Sequence, residues 1–549
     1  MTNKELADLM YPNVSKTISD YEKIYPERNL PEGAVVSRYA PSPTGFVHVG
    51  NMLACFIENF VPNQTEGVFY LRIEDTDQKR EIEGGIDNIV DAIKTIGLDY
   101  KEGVVSKDKE VGNYGPYIQS KRIDIYHTFA KYMIENDLAY PCFCTQEEID
   151  ASREEQKLNK TRIGYYGEYA VCRNLTNEER AEKIKAGCPY TIRLKSRGNF
   201  NNRIKFHDLV KGDVVFPEND QDIILIKSDG IPLYHFAHVV DDHLMRTTHV
   251  LRGEDWLPSV PVHLELFNMF GFKLPEYAHL GLVMIVDSEG TKRKISKRKD
   301  KDFAVKHFRE IGMPEMAMQE YLITIANSTF EGWRDNNLDK SIYDYKFDFS
   351  KIGSNPLFDY SKLLNISRNY ISKLSAEVVY DKLAEWSKEY DLDFYNLISK
   401  YKEYTINILN IEREQAKPRK DFACYSEIKS YIWYMFDELF NGCDKKYEWQ
   451  NVNDIDEIKN IMNVYISKYY DSNDDKDTWF SKMKDLATEL GYAANVKDYK
   501  KNPDNYKGSI VDISMVIRVC LTTKSMTPDL YDIMKLLGVD RIKNRISIL

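Results

Sequence analysis

Between Ala34 and Gly115 the chain alternates two apolar patterns. "AVVSRYA" and "VFYLRIED" are short runs rich in β-branched and aromatic residues, whereas "NMLACFIENFV" and "IEGGIDNIVDAIKTIGL" carry apolar residues at helical spacing. Strand, helix, strand, helix in that order predicts the start of a parallel, doubly wound sheet. From about Lys121 to Leu233 the character changes. A helical pattern, "RIDIYHTFAKYMIENDL", leads to a cysteine-containing stretch and then to β-rich "YTIRLK", "IKFHDLVKGDVVF" and "DIILIKSDG". This reads as an insertion that splits the sheet domain. "YHFAHVVDDHLMRTTHVLRGEDW" returns to helix and then strand, as the second half of such a sheet requires. After about Phe270 come the strand-like "HLGLVMIVD", a basic run "TKRKISKRK" and helices. From about Ser372 to Leu549 the pattern is helical and rich in Lys, Glu, Asp and Tyr.

Composition narrows the class. The 549 residues suffice for several domains. A content of 43% hydrophobic and 29% charged residues is that of a soluble globular protein, and no apolar run reaches the roughly 18 residues of a membrane span. The first 33 residues have acidic groups and no long apolar stretch, so they read as an ordered extension and not as a secretory signal. Eight irregularly spaced cysteines suit a reducing, cytoplasmic compartment. The formal net charge of −11 weakens the case for general nucleic-acid affinity. A shaped, specific partner needs only a local basic surface, and "TKRKISKRK" is one.

The stretch "RYAPSPTGFVHVGN", Arg38 to Asn51, turns from strand to helix through two prolines and two glycines. A helix start offers free backbone N–H groups and a positive dipole end, which suits phosphate. The glycines alone are equally consistent with an ordinary βα turn. Two further stretches bear on the choice: "RIEDTD" at a strand end, and "KISKR" after a strand far downstream.

In this order on a split parallel sheet, the three resemble the class I aminoacyl-tRNA synthetases. "HVGN" stands where that class carries its HIGH signature, and "KISKR" where it carries KMSKS. "RYAPSPTGFVHVG", "LRIEDTD", "GPYIQSKR", "IKSDGIPLYHFAHVVDDHLM", "VLRGEDW" and "KISKRK" are similar, in sequence, to the glutamyl-tRNA synthetases. "NPLFDYSKLLNISRNYI" and "TPDLYDIMKLLGVDRI" resemble the bacterial form. The resemblance implies an α/β fold: a split Rossmann-like doubly wound parallel sheet, an α/β acceptor-binding insertion and an all-α C-terminal anticodon-binding half. The expected order is an extension (1–33), the first catalytic half (34–120), the insertion (121–233) and the second catalytic half (234–272). A stem-contact domain carrying "KISKR" (273–371) and a helical anticodon-binding domain (372–549) follow.

The implied reaction is ATP-dependent ligation of L-glutamate to tRNA(Glu) through a glutamyl-adenylate, with release of pyrophosphate and AMP. The implied protein is a cytoplasmic monomer whose Mg2+ arrives with ATP. Whether tRNA(Gln) is also charged stays open. The substrate carboxylate is itself the nucleophile, so catalysis rests on positioning and on stabilising phosphate charge. His48 can donate to phosphate oxygens, and Lys294 and Lys297 supply mobile counter-charge. By resemblance, ATP meets His48, Gly50, Asn51, Asp255, Val283, Lys294, Ile295, Ser296, Lys297 and Arg298. Arg38, Ala40, Ser42, Glu74, Tyr234, His238 and Arg252 surround glutamate, with Glu74 answering the ammonium group. The arginines present planar forks of donors to carboxylate.

Some members of the family hold zinc in the insertion. Here Cys142, Cys144 and Cys172 are the thiol candidates, with Tyr169, Glu168 or a more distant residue to complete a tetrahedral site; free structural thiols are the alternative. "KPRKDF" resembles an anticodon-reading segment and makes Arg419 the candidate there, against a solvated basic turn. Three rivals fit less well. Glutaminyl relatives carry β-barrels where this chain is helical, a base-modifying paralogue lacks the C-terminal domain, and a tRNA-independent nucleotidyltransferase has no use for it. A non-catalytic RNA-binding relative would not need His48, Lys294 and Lys297.

Overall fold

The computed structural model describes residues 1–77, 79–287, 289–295 and 300–547. Two compact units emerge, one of residues 1–308 with 318–360, the other of residues 309–317 with the chain from Ser361 on. This boundary falls inside the stretch 273–371 that the sequence reading treats as one domain.

The first unit opens with helices α1 (Asn3–Met10) and α2 (Ile18–Ile24), each started by a threonine capping box. The extension is anchored by charge: Arg28 forks onto Glu102, and Arg246 reaches Glu22 and the Tyr25 carbonyl. Next come β1 (Val36–Tyr39), α3 (Val49–Gln64), β2 (Val68–Leu71), α4 (Gly85–Thr95), β3 (Glu102–Ser106) and β4 (Lys109–Val111). β1, β2 and β3 pair in parallel, and β4 adds antiparallel to β3. The β3–β4 hairpin is absent from the sequence reading, because "KEGVVSKDKEV" has too few apolar positions to show an alternation.

The insertion follows as α5 (Ile123–Glu135), β5 (Ala139–Cys142), α6 (Gln146–Leu158), α7 (Asn177–Lys185), β6 (Thr191–Leu194), β7 (Arg203–Asp208), β8 (Gly212–Pro217) and β9 (Ile224–Ile226). β5, β6 and β9 form an antiparallel sheet, and β7–β8 is a separate hairpin. The interrupted domain resumes with α8 (Tyr234–Leu244), β10 (His249–Gly253), α9 (Val260–Phe270) and β11 (Glu276–Leu280), where β10 and β11 run parallel. The Thr248 N–H donates to the Val36 carbonyl (2.9 Å), and the Val36 N–H donates to Thr248 Oγ1 (2.8 Å). Val35 faces β2 through its carbonyl, so β10 lies on the opposite side of β1. The strand order is therefore β11–β10–β1–β2–β3, and the chain direction switches at β1. Ligands bind at such switch points, beyond the carboxyl ends of the strands. The antiparallel pair β12 (Met284–Val286) and β13 (Lys292–Lys294) comes next, followed by α10 (Val305–Glu310), α11 (Glu315–Ala326) and α12 (Phe330–Asp335). The other unit is helical and packs around Leu383, Ile398, Ile428, Leu486 and Ile513. No helix among the described residues is long and apolar enough to cross a membrane.

Charge as well as apolar area fixes α8 against its neighbours. Asp241 is fully buried and accepts from Arg122 Nε (2.7 Å), Gln119 Nε2 (2.9 Å) and the Tyr126 hydroxyl (2.8 Å). Removing it would leave the Arg122 guanidinium buried and uncompensated. Asp241→Ala is expected to cost about 3–5 kcal/mol, measured as an earlier denaturant midpoint at unchanged slope.

Candidate functional site

At the switch point a cleft of about 740 Å³ opens between the end of β1, the start of α3, β10 and the β12–β13 pair. The loop Ala40–Val47 crosses its floor. His48 caps α3: its Nδ1 accepts from the Gly50 N–H (3.1 Å), which places the ring proton of the neutral imidazole on Nε2. Asn51 completes the capping box, its Oδ1 accepting from the His48 N–H (3.3 Å). Its Oδ1 is thus engaged as an acceptor, while its NH2 still has donors to offer. A Cβ on Gly50 would lie 3.0–3.1 Å from the His48 ring and 3.5 Å from Val283, so glycine keeps both the cap and the cleft open.

The cleft brings together Arg38, Ala40, Ser42, Glu74, Tyr234 and Arg252 with His48, Gly50, Asn51, Asp255, Val283, Lys294 and Ile295. Ser296, Lys297 and Arg298 lie outside the described residues. His238 does not reach the cleft. It is fully buried behind Tyr234, stacks on that ring (5.6 Å, 14°), bonds the Tyr277 hydroxyl (3.0 Å) and lies 2.6 Å from Asp242.

Behind the cleft wall lies a buried ion cluster. Arg38 Nε reaches both Asp242 oxygens (3.1 and 3.2 Å), and Arg72 donates to Asp242 (2.6 Å) and to Glu74 (3.0 Å). Burial would raise the Asp242 carboxyl, but Arg38 and Arg72 outweigh it and hold it well below the usual range. Burial pushes Glu74 up. Glu58 lies 3.7 Å from Arg38, and burial pushes its carboxyl up to about 8 in spite of that arginine.

Arg252 is placed differently. It is 7% exposed, and its hydrogen-bond partners among the described residues are neutral acceptors: His279 Nε2 (3.0 Å), the Tyr234 hydroxyl (3.0 Å), His263 Nδ1 (3.3 Å) and the Trp256 carbonyl (3.5 Å). Burial lowers His235 to about 4 and His238 to about 3, and takes His263 well below its ordinary value. Among the described residues no carboxylate lies within 4 Å of Arg252. Its charge is available to a ligand.

Sequence patterns did not single out Asp242, Arg72, Glu58, Trp256, His263 or His279. "VVDDHL" held one usable signal: two aspartates on an otherwise apolar helix need buried cations.

In the insertion, the Cys142, Cys144 and Cys172 sulfurs all lie within 4.8 Å of one another. The fourth group is Tyr165, whose hydroxyl sits 3.3 Å from Cys142 and 3.2 Å from Cys144. Glu168 is not part of the cluster, and the Tyr169 hydroxyl contacts Thr161 instead (3.5 Å). In the helical unit Arg419 forks onto Asp421 (2.7 and 2.8 Å) and also reaches Glu412 (3.3 Å). It is an ion-paired residue, not a freely solvated one.

Comparison with known proteins identifies the family. Residues 34–338 match the family model described as tRNA synthetases class I (E and Q), catalytic domain, and residues 501–549 match an anticodon binding domain. The chain is 48% identical over 548 residues to a glutamate–tRNA ligase of Clostridium perfringens, covering 100% of both. It is 45% identical over 549 residues to that of Acetivibrio thermocellus, again with 100% of both covered. A solved glutamate tRNA ligase of Elizabethkingia meningosepticum, in complex with its amino acid, superposes with a TM-score of 0.74 at 25% identity. That match covers 94% of this chain and 99% of the other.

The raised Glu58 carboxyl has a measurable consequence. Between its ordinary value near 4.5 and about 8 the folded state holds a proton that the unfolded state has released. Its contribution is therefore fully present below pH 4.5 and is lost as pH rises through 8. Glu58→Gln should flatten that decline and gain about 1–2 kcal/mol at pH 8 relative to pH 5, read from denaturant midpoints at the two pH values.

Proposed function

The chain belongs to the class I tRNA synthetases of the E and Q group and ligates L-glutamate to tRNA, and we propose that the cleft at the β1 switch point is where glutamyl-adenylate forms. The observation that carries this assignment is Arg252, a buried cation held only by neutral acceptors at the wall of a cleft that also holds a helix start.

In the first step an oxygen of the glutamate α-carboxylate attacks the α-phosphorus of ATP. The new bond is carboxylate oxygen to phosphorus, the bond to the bridging oxygen breaks, and pyrophosphate leaves. The His48 Nε2–H and the first backbone N–H groups of α3 donate to phosphate oxygens as negative charge spreads over them. Lys294 closes the opposite side, joined by Ser296, Lys297 and Arg298 on sequence grounds. Asp255 takes the ribose, and Val283 and Gly50 leave room for adenine. Mg2+ comes with the ATP and neutralises phosphate charge; the thiols of the insertion are the one cluster among the described residues suited to hold a metal.

Arg252 receives a substrate carboxylate together with the Tyr234 hydroxyl, while Arg38 lends the field of its ion cluster to the same cleft. Glu74 faces the ammonium group, and Ala40 and Ser42 border it. His238 acts from behind by fixing Tyr234 and Asp242. In the second step a ribose hydroxyl at the tRNA 3′ end attacks the glutamyl carbonyl and AMP leaves. The chain is taken to act as a monomer, and eight cysteines without a disulfide support a cytoplasmic setting. In the helical unit Arg419 is the candidate for an anticodon base, exchanging part of its hold on Asp421 for the base edge.

The purified protein should transfer labelled glutamate to tRNA(Glu) and leave glutamine untransferred; a parallel reaction with tRNA(Gln) decides how strictly tRNA is chosen. Arg252→Gln should raise the KM for glutamate by about 100-fold with the KM for ATP nearly unchanged. No transfer of glutamate by the parent protein would overturn the assignment.

Cys142, Cys144, Cys172 and Tyr165 form a donor set that fits zinc: three sulfurs and one oxygen converging on one point. When bound, zinc would tie β5 to the segment around Cys172 and take no part in the transfer. Metal analysis of the purified protein is expected to find one zinc per chain, and Cys172→Ser should lose it and lower the melting temperature. A metal-free parent protein would leave these as structural thiols.

A further inference from the structure

The geometry points to Asp208 and His279 as positioning residues for Arg252, which orient its guanidinium for the substrate carboxylate by fixing one imidazole tautomer. The inference rests on the assignment of Arg252 above.

Arg252 and His279 are register partners on the parallel strands β10 and β11, so their side chains leave the same face side by side. Arg252 Nε donates to His279 Nε2 at 3.0 Å. That contact exists only if Nε2 carries no proton. The other ring nitrogen, Nδ1, lies 2.6 Å from Asp208 Oδ2, a carboxylate that can only accept. Asp208 therefore puts the ring proton on Nδ1 and frees Nε2 to accept.

Asp208 is itself immobile. It is fully buried at the end of β7, and its Oδ1 accepts from the backbone N–H groups of Val210 (3.0 Å) and Lys211 (2.9 Å). The His279 N–H is shared between Oδ2 (3.2 Å) and Oδ1 (3.3 Å), so it can fall to Oδ1 alone. The arrangement leaves the arginine's charge unspent. Asp208 stands one imidazole away from the guanidinium, far enough not to pair with it directly, as Asp242 does with Arg38 and Arg72. A carboxylate in direct contact would orient Arg252 equally well but would compete with the substrate.

The split roles of the two Asp208 oxygens make the idea testable. In Asp208→Asn the amide oxygen keeps the Val210 and Lys211 contacts, which need an acceptor. The amide nitrogen then faces His279 Nδ1 and donates to it. The proton moves to Nε2, where it meets the Arg252 Nε–H, donor against donor. Replacing His279 by Gln removes this dependence, because an amide presents its oxygen to Arg252 without reference to Asp208.

The experiment measures glutamate and ATP KM values and kcat in tRNA(Glu) charging for the parent protein, Asp208→Asn, His279→Gln and the double variant. Imidazole 15N shifts are recorded without substrate. Asp208→Asn is expected to raise the glutamate KM about tenfold or more, with ATP KM and kcat within about twofold, and to move the His279 proton from Nδ1 to Nε2. In the His279→Gln background the same substitution should change the glutamate KM by less than about twofold. An unchanged glutamate KM in Asp208→Asn, an equal rise for ATP, or the full rise in the His279→Gln background would each overturn the proposal. A parent protein that transfers no glutamate would sink the assignment of the cleft; an unmoved tautomer would then separately overturn the role of Asp208.

Discussion

The contact on which the site depends is the sharing of Asp242 between Arg38 and Arg72. Those arginines come from adjacent parallel strands, and the aspartate from a helix that enters the chain some 170 residues after the nearer of them. Buried pairs of this kind add little net stability, because desolvation cancels much of the attraction. They do specify geometry: α8 can seat itself against β1 and β2 in only one rotation without stranding a charge. Asp241, one residue away, faces Arg122, Gln119 and Tyr126 and locks the same helix to the insertion's first helix and the turn before it. The position of Tyr234, at the head of that helix, follows from these two aspartates.

Against this compensated cluster, Arg252 stands out for what surrounds it. Two histidines, a tyrosine and a backbone carbonyl provide acceptors with no formal charge, and burial lowers both imidazoles below their ordinary value, which favours the neutral form. A neutral amide in place of the substrate carboxylate would leave the guanidinium without a counter-ion in a desolvated wall. In the proposed site, discrimination between an acid and its amide would then follow from the protein's own uncompensated charge rather than from shape.

Much of this was legible in the sequence, and the part that was not has a physical reason. Runs such as "AVVSRYA" and "NMLACFIENFV" are buried on nearly all sides, so their patterns are unambiguous, and "HVGN" marked a helix start. Residues such as His279 and Asp208 carry no local signal. Their roles arise from strand register and from a hairpin about 70 residues away in the chain. His238 was assigned to the glutamate by resemblance, yet one turn of α8 beyond Tyr234 carries it behind the wall. The exposed β3–β4 hairpin and the tyrosine near the thiols escaped for a related reason: neither has a periodic apolar neighbourhood, and Tyr165 meets its cysteines only through the loop's path.

The interposed domain also sets a timetable for synthesis. β1 has its neighbour β2 about 30 residues downstream, but its other neighbour lies 212 residues away. At the ribosome's pace of roughly 5–20 residues per second, that edge waits about 10–40 s for its partner. Over that interval the nascent strand exposes Arg38, a charge that discourages pairing with a foreign strand.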